Sequence, residues 1–249
     1  MDNLKEMAVF VQDEVRMPQT IMDYGIDING WHEGNALLTP IWFRLNELKE
    51  IGVENFVSTY FYKGNCLELP ACNKASKRSG GLKLLYDNYL STKIKNIKNI
   101  LEVGCGQGQA GIWFSTAGVT YIGIDVSLLN IGFAIALLPC LKYLKGKDFR
   151  EPVYKQMIAE DLKFKDKEFD LVFSNQLLDH THSLNKTIME QSRVGKSMCG
   201  VVDIGDMEEP SEHMFRIKPE MLDDYLRIYC SSHSVDVYEK DIIFWGECK

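Results

Sequence analysis

Apolar runs long enough to cross a bilayer are absent from this sequence. The longest greasy stretch, Ile131 to Leu144, is interrupted by Gly132, Pro139 and Lys142, well short of the ~18 consecutive apolar residues that mark a helical span. A disulfide framework is lacking too. The seven cysteines are an odd number scattered from Cys66 to Cys248, and Cys66 and Cys72 have no second pair with which to build a zinc pattern. Met1 to Arg16 is mixed and charged, without the basic and apolar regions of a secretory leader. Positive charge is in short supply: Lys and Arg total 28 against 35 Asp and Glu, a formal net charge of −7. Such a chain is poorly steered towards phosphate backbones or anionic lipid. Internal repeats and low-complexity segments are missing as well. These absences leave a reduced, cytoplasmic globular protein with no membrane partner, and they disfavour a nucleic-acid partner. At 45% hydrophobic and 25% charged residues, the composition is that of an ordinary folded chain.

The 249 residues divide near position 99. Before it, elements are short and punctuated. Leu4, Met7, Ala8 and Val11 trace a first amphipathic helix within Asp2–Val15, and Pro40–Ile51 is a second helix, with Pro at its start and Gly52 after its end. Asp23–Asn35 is loop. Leu82, Leu85, Tyr86 and Leu90 return to helical spacing. From Asn99 onward, strand, turn and helix alternate. Apolar runs at Ile100–Val103, Thr120–Ile124, Val153–Ile158, Phe169–Phe173 and Met198–Ile204 are separated by helical segments, notably Gly108–Ala117, Ser127–Leu138 and Leu184–Val194. A helix at Pro219–Tyr229 precedes two closing runs, Ser234–Tyr238 and Ile242–Gly246, which can pair through Glu239–Asp241. The expected architecture is α/β: a doubly wound, mostly parallel seven-stranded sheet with an antiparallel edge hairpin, plus an N-terminal helical cap. The expected division is a cap over 1–98 and a core over 99–249.

The densest signal is Leu101-Glu-Val-Gly-Cys-Gly-Gln-Gly-Gln-Ala-Gly111. A strand runs into Gly104, Gly106 and Gly108 and then into a helix, whose free N–H groups favour an anion or a polar ligand. Gly106 to Gly111 also satisfies the dinucleotide fingerprint GxGxxG, which brings a nicotinamide or flavin enzyme into consideration. Glu102, two residues before the first glycine, would repel a pyrophosphate and suit a cationic amino group. Asp125 closes the second strand in Tyr-Ile-Gly-Ile-Asp-Val-Ser, placed to accept two ribose hydroxyls.

With the fourth strand and its sequel, Phe169-Asp-Leu-Val-Phe-Ser-Asn-Gln-Leu-Leu-Asp-His180, the sequence resembles the class I S-adenosylmethionine-dependent methyltransferases. LEVGCGQG, GIDVS, FDLVFSNQLLDH and LNKTIMEQSRV follow that family's order and spacing over about residues 99–249. The resemblance implies S-adenosylmethionine as cofactor. It places Gly104, Cys105, Gly106 and Gly108 beside the methionine part, Glu102 near the amino group, and Asp125 with Val126 at the ribose. Ser174 and Asn175 then face the sulfonium. The family often has an acidic residue at the end of strand three for the adenine amino group. Here Ile158 stands there, so either Glu160 or Asp161 substitutes or the adenine is held by backbone and packing. The family's Lys-Pro-Gly-Gly turn before strand five is replaced by Gly195-Lys-Ser-Met-Cys-Gly200.

Methyl transfer needs alignment above all, and a base chiefly when the acceptor is a hydroxyl. The candidates are His180 and His182 in Asp179-His-Thr-His182, and His213 in the loop after strand five. His180 reads first as structural or cofactor-adjacent, with His182 and His213 freer to meet substrate. A metal site from Asp179, His180, His182 and Asp206 is not expected, since two His at i, i+2 do not share a helical face. Lys74, Lys77, Arg78, Lys83, Lys93, Lys95 and Lys98 make a locally basic stretch, read first as a solvated face and otherwise as contact for a phosphate-bearing substrate. Trp31, Trp42, Tyr60, Phe61 and Tyr62 are core by default, with a substrate pocket wall as the second reading. The expected reaction is methyl transfer to an oxygen or nitrogen of a small polar molecule such as a sugar, a nucleotide-linked sugar or a natural-product intermediate. RNA methylation, NAD-dependent oxidoreduction and a catalytically inactive methyltransferase-like subunit are the rivals. A small-molecule acceptor is the expected partner, and a homodimer is compatible.

Overall fold

Strands that are apolar on both faces must be covered on both faces, and here that requirement builds the architecture. The computed structural model describes residues 81, 84–106, 108, 110–111, 114, 118–127, 130–132, 134–135, 138, 150–204 and 216–249. Within them lie seven strands: β1 (Asn99–Val103), β2 (Thr120–Asp125), β3 (Val153–Gln156), β4 (Phe169–Asn175), β5 (Gly195–Asp203), β6 (Cys230–Tyr238) and β7 (Asp241–Cys248). They form one sheet in the order β3-β2-β1-β4-β5-β7-β6. Neighbours from β3 to β5 are parallel, and β7 runs antiparallel to both β5 and β6. The closing hairpin is therefore present, with longer strands than the sequence pattern predicts. Its turn is Glu239-Lys240, where Glu239 takes φ 54°, and the antiparallel strand is the inner one. Strand β6, at the edge, is mostly half-buried or exposed. Strand β3 ends at Gln156, short of the predicted Ile158, because the chain leaves the ladder once the Met157 amide has bonded to the Asp125 carbonyl at 3.0 Å.

One face carries two helices whose limits match the sequence pattern. Helix α1 (Leu184–Val194) is capped by the Ser183 hydroxyl, which accepts from the Lys186 amide, and it turns Leu184, Ile188 and Val194 inward. Helix α2 (Pro219–Tyr229) starts on Pro219 and buries Leu222 and Leu226. Both pack on a core containing Leu101, Val103, Val172, Met198 and Phe244. Full burial of Leu222 and Leu226 contributes roughly 2 kcal/mol for each side chain.

The other face is covered by helical residues that follow the glycine-rich turn and β2, and by residues 84–96 before β1. Leu85 and Leu90 enter the same core as Ile100, Phe114, Tyr121, Phe173 and Ile243. Tyr89 stacks on Trp245 of β7 with ring centroids 5.2 Å apart, and Lys93 pairs with Glu247 at 2.8 Å. Upstream, the Gly81 amide donates to the Asp241 carboxylate at 3.0 Å. The other oxygen of Asp241 accepts from Gln176, just past β4, at 3.2 Å. A Cβ on Gly81 would lie 2.4 Å from Asp241, so glycine is required for this approach. The residues immediately before Asn99 thus share the core of the sheet. The helices expected at Asp2–Val15 and Pro40–Ile51, and the rest of the expected cap as far as residue 80, lie outside the described residues. Among the described residues, no helix is long and apolar enough to cross a membrane.

Candidate functional site

The strand order reverses between β1, which continues towards β2 and β3, and β4, which continues towards β5. At such a switch point the loops leaving the carboxyl ends of adjacent strands diverge and open a crevice. The glycine turn leaves β1 at this place. Its three glycines all take left-handed torsions: Gly104 φ 75°, Gly106 φ 52° and Gly108 φ 79°. Side chains seldom adopt these values. The turn is stitched to β2, because the Gly104 and Cys105 amides both donate to the Ile124 carbonyl, at 2.8 and 2.9 Å.

Asp125 is the fastening point. Its Oδ2 accepts from the Gly106 amide at 2.8 Å, and its Oδ1 accepts from the Ser127 amide at 2.9 Å and from the Asn130 side chain at 3.3 Å. Burial pushes this carboxyl above its ordinary value, and the Ser127 and Gly106 amides oppose the rise. Of about four lone-pair positions on a carboxylate, three are filled from within the chain. Ser127 also caps the following helix through Asn130 at 3.3 Å. Beside Asp125, Val126 is half-buried and its carbonyl accepts from Gln156 at 3.1 Å.

Below the turn lies a buried polar cluster in which sequence reasoning singled out Glu102 and Cys105 but neither Tyr121 nor Tyr154. Glu102 is 4% exposed and accepts a hydrogen bond from the Tyr121 hydroxyl. Burial raises its carboxyl to about 8, with the Tyr121 hydroxyl opposing and the Asp125 charge adding. Tyr154 from β3 donates to the Gly108 carbonyl at 2.9 Å. Cys105 is 6% exposed, its thiol pushed up by burial, which suits a small packing residue rather than a nucleophile. Tyrosines at 121 and 154 read in the sequence only as strand residues. A polar ring recurring in two neighbouring strands beside a buried glutamate is the signal that was available.

The three glycines meet different surroundings. A Cβ on Gly104 would strike Leu177 at 2.6 Å, and one on Gly108 would strike the Tyr154 hydroxyl at 2.4 Å. At Gly106 a Cβ would meet nothing within 4 Å. Gly104 and Gly108 are therefore also needed for close packing, whereas Gly106 presents bare backbone to open space, a cradle that a side chain would fill. Gly108→Ala should lower stability by about 2–3 kcal/mol through clash and left-handed strain, a loss of about 5–10 °C in Tm. Gly106→Ala should cost about 1–2 kcal/mol, from strain alone. Thermal melts of the two variants test this, and equal losses would contradict the distinction.

The remaining candidates are dispersed. Glu160 is half-buried and its carboxylate accepts from the His182 and Ser183 amides at 2.7 and 3.3 Å, so it holds the turn before α1. Asp161 is exposed and pairs with Lys163. Ile158, 37% exposed, stands beyond β3 where the acidic residue was sought. Ser174 is 1% exposed and its hydroxyl finds no partner among the described residues, while Asn175 at the end of β4 is half-buried. His180 closes a short 3-10 turn, Leu178–His180, with Nε2 3.7 Å from the Asp179 carboxylate. His182 is exposed. His213 and Asp206 lie outside the described residues. Among the described residues, no group of three or more His, Cys, Asp or Glu could hold a metal ion.

Residues 101–198 match the family profile described as a methyltransferase domain. That stretch spans the glycine turn, Asp125 and strands β1 to β4. This part of the chain is similar to methyltransferase domains. Over 120 residues it is 31% identical to an uncharacterised methyltransferase of Synechocystis, covering 47% of this chain and 51% of that protein. Over 158 residues it is 26% identical to a ubiquinone biosynthesis O-methyltransferase of Pelagibacter ubique, covering 59% and 62%. This chain thus matches only about half to three-fifths of the length of these relatives. Among solved structures, the magnesium protoporphyrin IX methyltransferase of Synechocystis, with S-adenosylhomocysteine bound, superposes with a TM-score of 0.52 at 13% identity. That match covers 68% of this chain and 84% of the other. It shows that the fold of the methyltransferase domain is shared.

Proposed function

We propose that this protein transfers a methyl group from S-adenosylmethionine to an oxygen or nitrogen of a small polar molecule. The observation that carries the reading is the turn at Gly106: left-handed, pinned to Asp125, and open where a side chain would project. When bound, S-adenosylmethionine supplies an electrophilic methyl group on a sulfonium.

This chain's residues would bind and orient it. Gly104, Gly106 and Gly108 present backbone to its methionine part, and Glu102, beneath the turn, lends negative charge towards its amino group. Asp125 offers its remaining lone pair to a ribose hydroxyl. Val126 and Ile158 flank the adenine, which packing and backbone hold, because Glu160 and Asp161 are engaged elsewhere. Ser174 and Asn175, at the end of β4, border the transfer site. An oxygen acceptor is supported by the O-methyltransferase of Pelagibacter ubique, and His180 or His182 would then take up the hydroxyl proton. The residues before 81 select the acceptor in this reading.

S-adenosylhomocysteine should raise the Tm by several degrees through binding to the folded state, and NAD should leave it unchanged. His180→Ala and His182→Ala should lower turnover with an unchanged S-adenosylhomocysteine shift. Stabilisation by NAD alone would overturn the reading. Wild-type turnover in both histidine variants would remove them from proton transfer.

A further inference from the structure

At the far end of the sheet from the glycine turn, β6 begins and β7 ends with cysteines that face each other in the ladder, Cys230 opposite Cys248. We propose that these two thiols form a redox-active pair, which a small-molecule disulfide such as oxidised glutathione converts to an intrachain disulfide across the β6–β7 edge.

The ladder provides the geometry. The Lys249 amide donates to the Tyr229 carbonyl at 3.0 Å, so residues 229 and 249 are a hydrogen-bonded pair. The next pair, Cys230 with Cys248, is then of the non-hydrogen-bonded kind. In such pairs the Cα atoms lie ~4.5 Å apart and the side chains approach most closely, within the ~4.4–6.8 Å range that a disulfide spans. Both cysteines are free thiols. Gly246 leaves the space that the Cys230 thiol occupies, for a Cβ there would lie 2.5 Å from that sulfur. A bulge at Ser231 and Ser232 interrupts the ladder directly beyond the pair, giving local freedom for the small closure that bond formation needs.

The surroundings divide the two roles: Cys230 is the group suited to close the bond, while the Cys248 thiol is pushed up by its contact with Cys230 and by burial. Cys230 is 3% exposed, and its thiol is held below the ordinary value first by the Cys248 S–H and then by Lys167 and Lys249, with burial opposing. Cys248 is half-buried and is the more exposed residue of the two. Cys248, the less buried of the two, gives its proton to water and attacks one sulfur of oxidised glutathione. One glutathione leaves as a thiolate and removes the proton from Cys230. Cys230 then attacks the Cys248 sulfur of the mixed disulfide and expels the second glutathione, which takes a proton from water. The protein loses two thiol hydrogens and two electrons, and one oxidised glutathione becomes two reduced ones.

The test equilibrates the full-length chain in buffers of varied reduced-to-oxidised glutathione ratio, traps free thiols by alkylation, and maps the cysteines by mass spectrometry. The expected result is a single reversible transition that joins the peptides holding Cys230 and Cys248, while buried Cys105 and Cys199 stay reduced. The oxidised form should melt several degrees above the reduced form. In Cys248→Ser, a half-buried position where folding should be kept, the crosslink and the gain in Tm should both vanish. The S-adenosylhomocysteine shift should persist in wild type and variant, oxidised or reduced, so failure of this proposal is separable from failure of the methyl-transfer reading. Cysteines 230 and 248 remaining reduced, or carrying only separate glutathione adducts, in saturating oxidised glutathione would overturn the proposal. So would a crosslink that forms only after thermal unfolding.

Discussion

Asp125→Asn should weaken S-adenosylhomocysteine binding by about 100-fold or more and abolish its thermal shift. The substitution keeps the size and removes one acceptor. In the native site, Oδ2 takes the Gly106 amide, and Oδ1 takes the Ser127 amide and the Asn130 side chain. An asparagine has one carbonyl oxygen for these two directions. Whichever way it is turned, its NH2 group faces an N–H donor, at Gly106 or at Ser127. A buried donor left unmet costs ~1–3 kcal/mol, and two decades of affinity correspond to ~2.7 kcal/mol. The same change removes the last acceptor position proposed for the ribose, so the losses fall together on one ligand. Titration calorimetry measures the affinity, and a melt without ligand reports the loss of the Gly106 anchor by itself. Tight binding in the variant would remove Asp125 from the ribose and leave it as a loop fastener only.

The sheet was legible because its chemistry is local. Continuous apolar runs such as Ile100–Val103 mark strands covered on both faces, and the helix limits at Leu184–Val194 and Pro219–Tyr229 are written in a serine cap, a starting proline and spaced leucines. Strand ends were less legible. Phe169–Phe173 extends to Asn175, and Met198–Ile204 begins three residues earlier, at Gly195. Pairing with an already ordered neighbour carries polar and glycine residues into a ladder that propensity does not favour. That β7 inserts between β5 and β6 is likewise a property of three-dimensional pairing, since the hairpin pattern fits either order.

At the site, the sequence pattern marked the glycines and Asp125, and it did not reveal how they are joined. The Gly106–Asp125 bond spans 19 residues and the Tyr154–Gly108 bond 46. Gly81 to Asp241 spans 160. Separations of that kind depend on which strands become neighbours, and that is fixed by the whole sheet. Glu160 shows the converse. An acidic residue two places beyond Ile158 suggested a substitute adenine contact, and in the structure one of its carboxylate oxygens accepts from the amides of His182 and Ser183. The unpaired backbone N–H groups ahead of α1 drew it there.

Glu102→Gln should remove the pH dependence that this buried carboxyl gives the fold. In the folded protein burial raises Glu102 to about 8, against an unfolded value of 4.5. Between these two values the folded chain holds a proton that the unfolded chain has released. Stability contributed by the neutral carboxyl is therefore complete below about pH 4.5, declines as pH rises, and is gone above about pH 8. Other groups add their own slopes, so the informative quantity is the difference between variant and wild type. Glutamine is neutral at every pH, and its carbonyl can accept the Tyr121 hydroxyl as the glutamate does. The two proteins should melt alike near pH 5 and diverge progressively, with the variant several degrees more stable at pH 9. The advantage in stability should carry a functional loss. If Glu102 supplies negative charge towards the amino group of the cofactor, binding favours its ionised form and releases a proton below pH 8. Wild-type affinity for S-adenosylhomocysteine should then rise with pH over that interval, and the variant's should not. Parallel melting curves across pH 5–9 would show that Glu102 is ionised in the fold throughout. A shared pH dependence of affinity would place the cofactor's amino group beyond its influence.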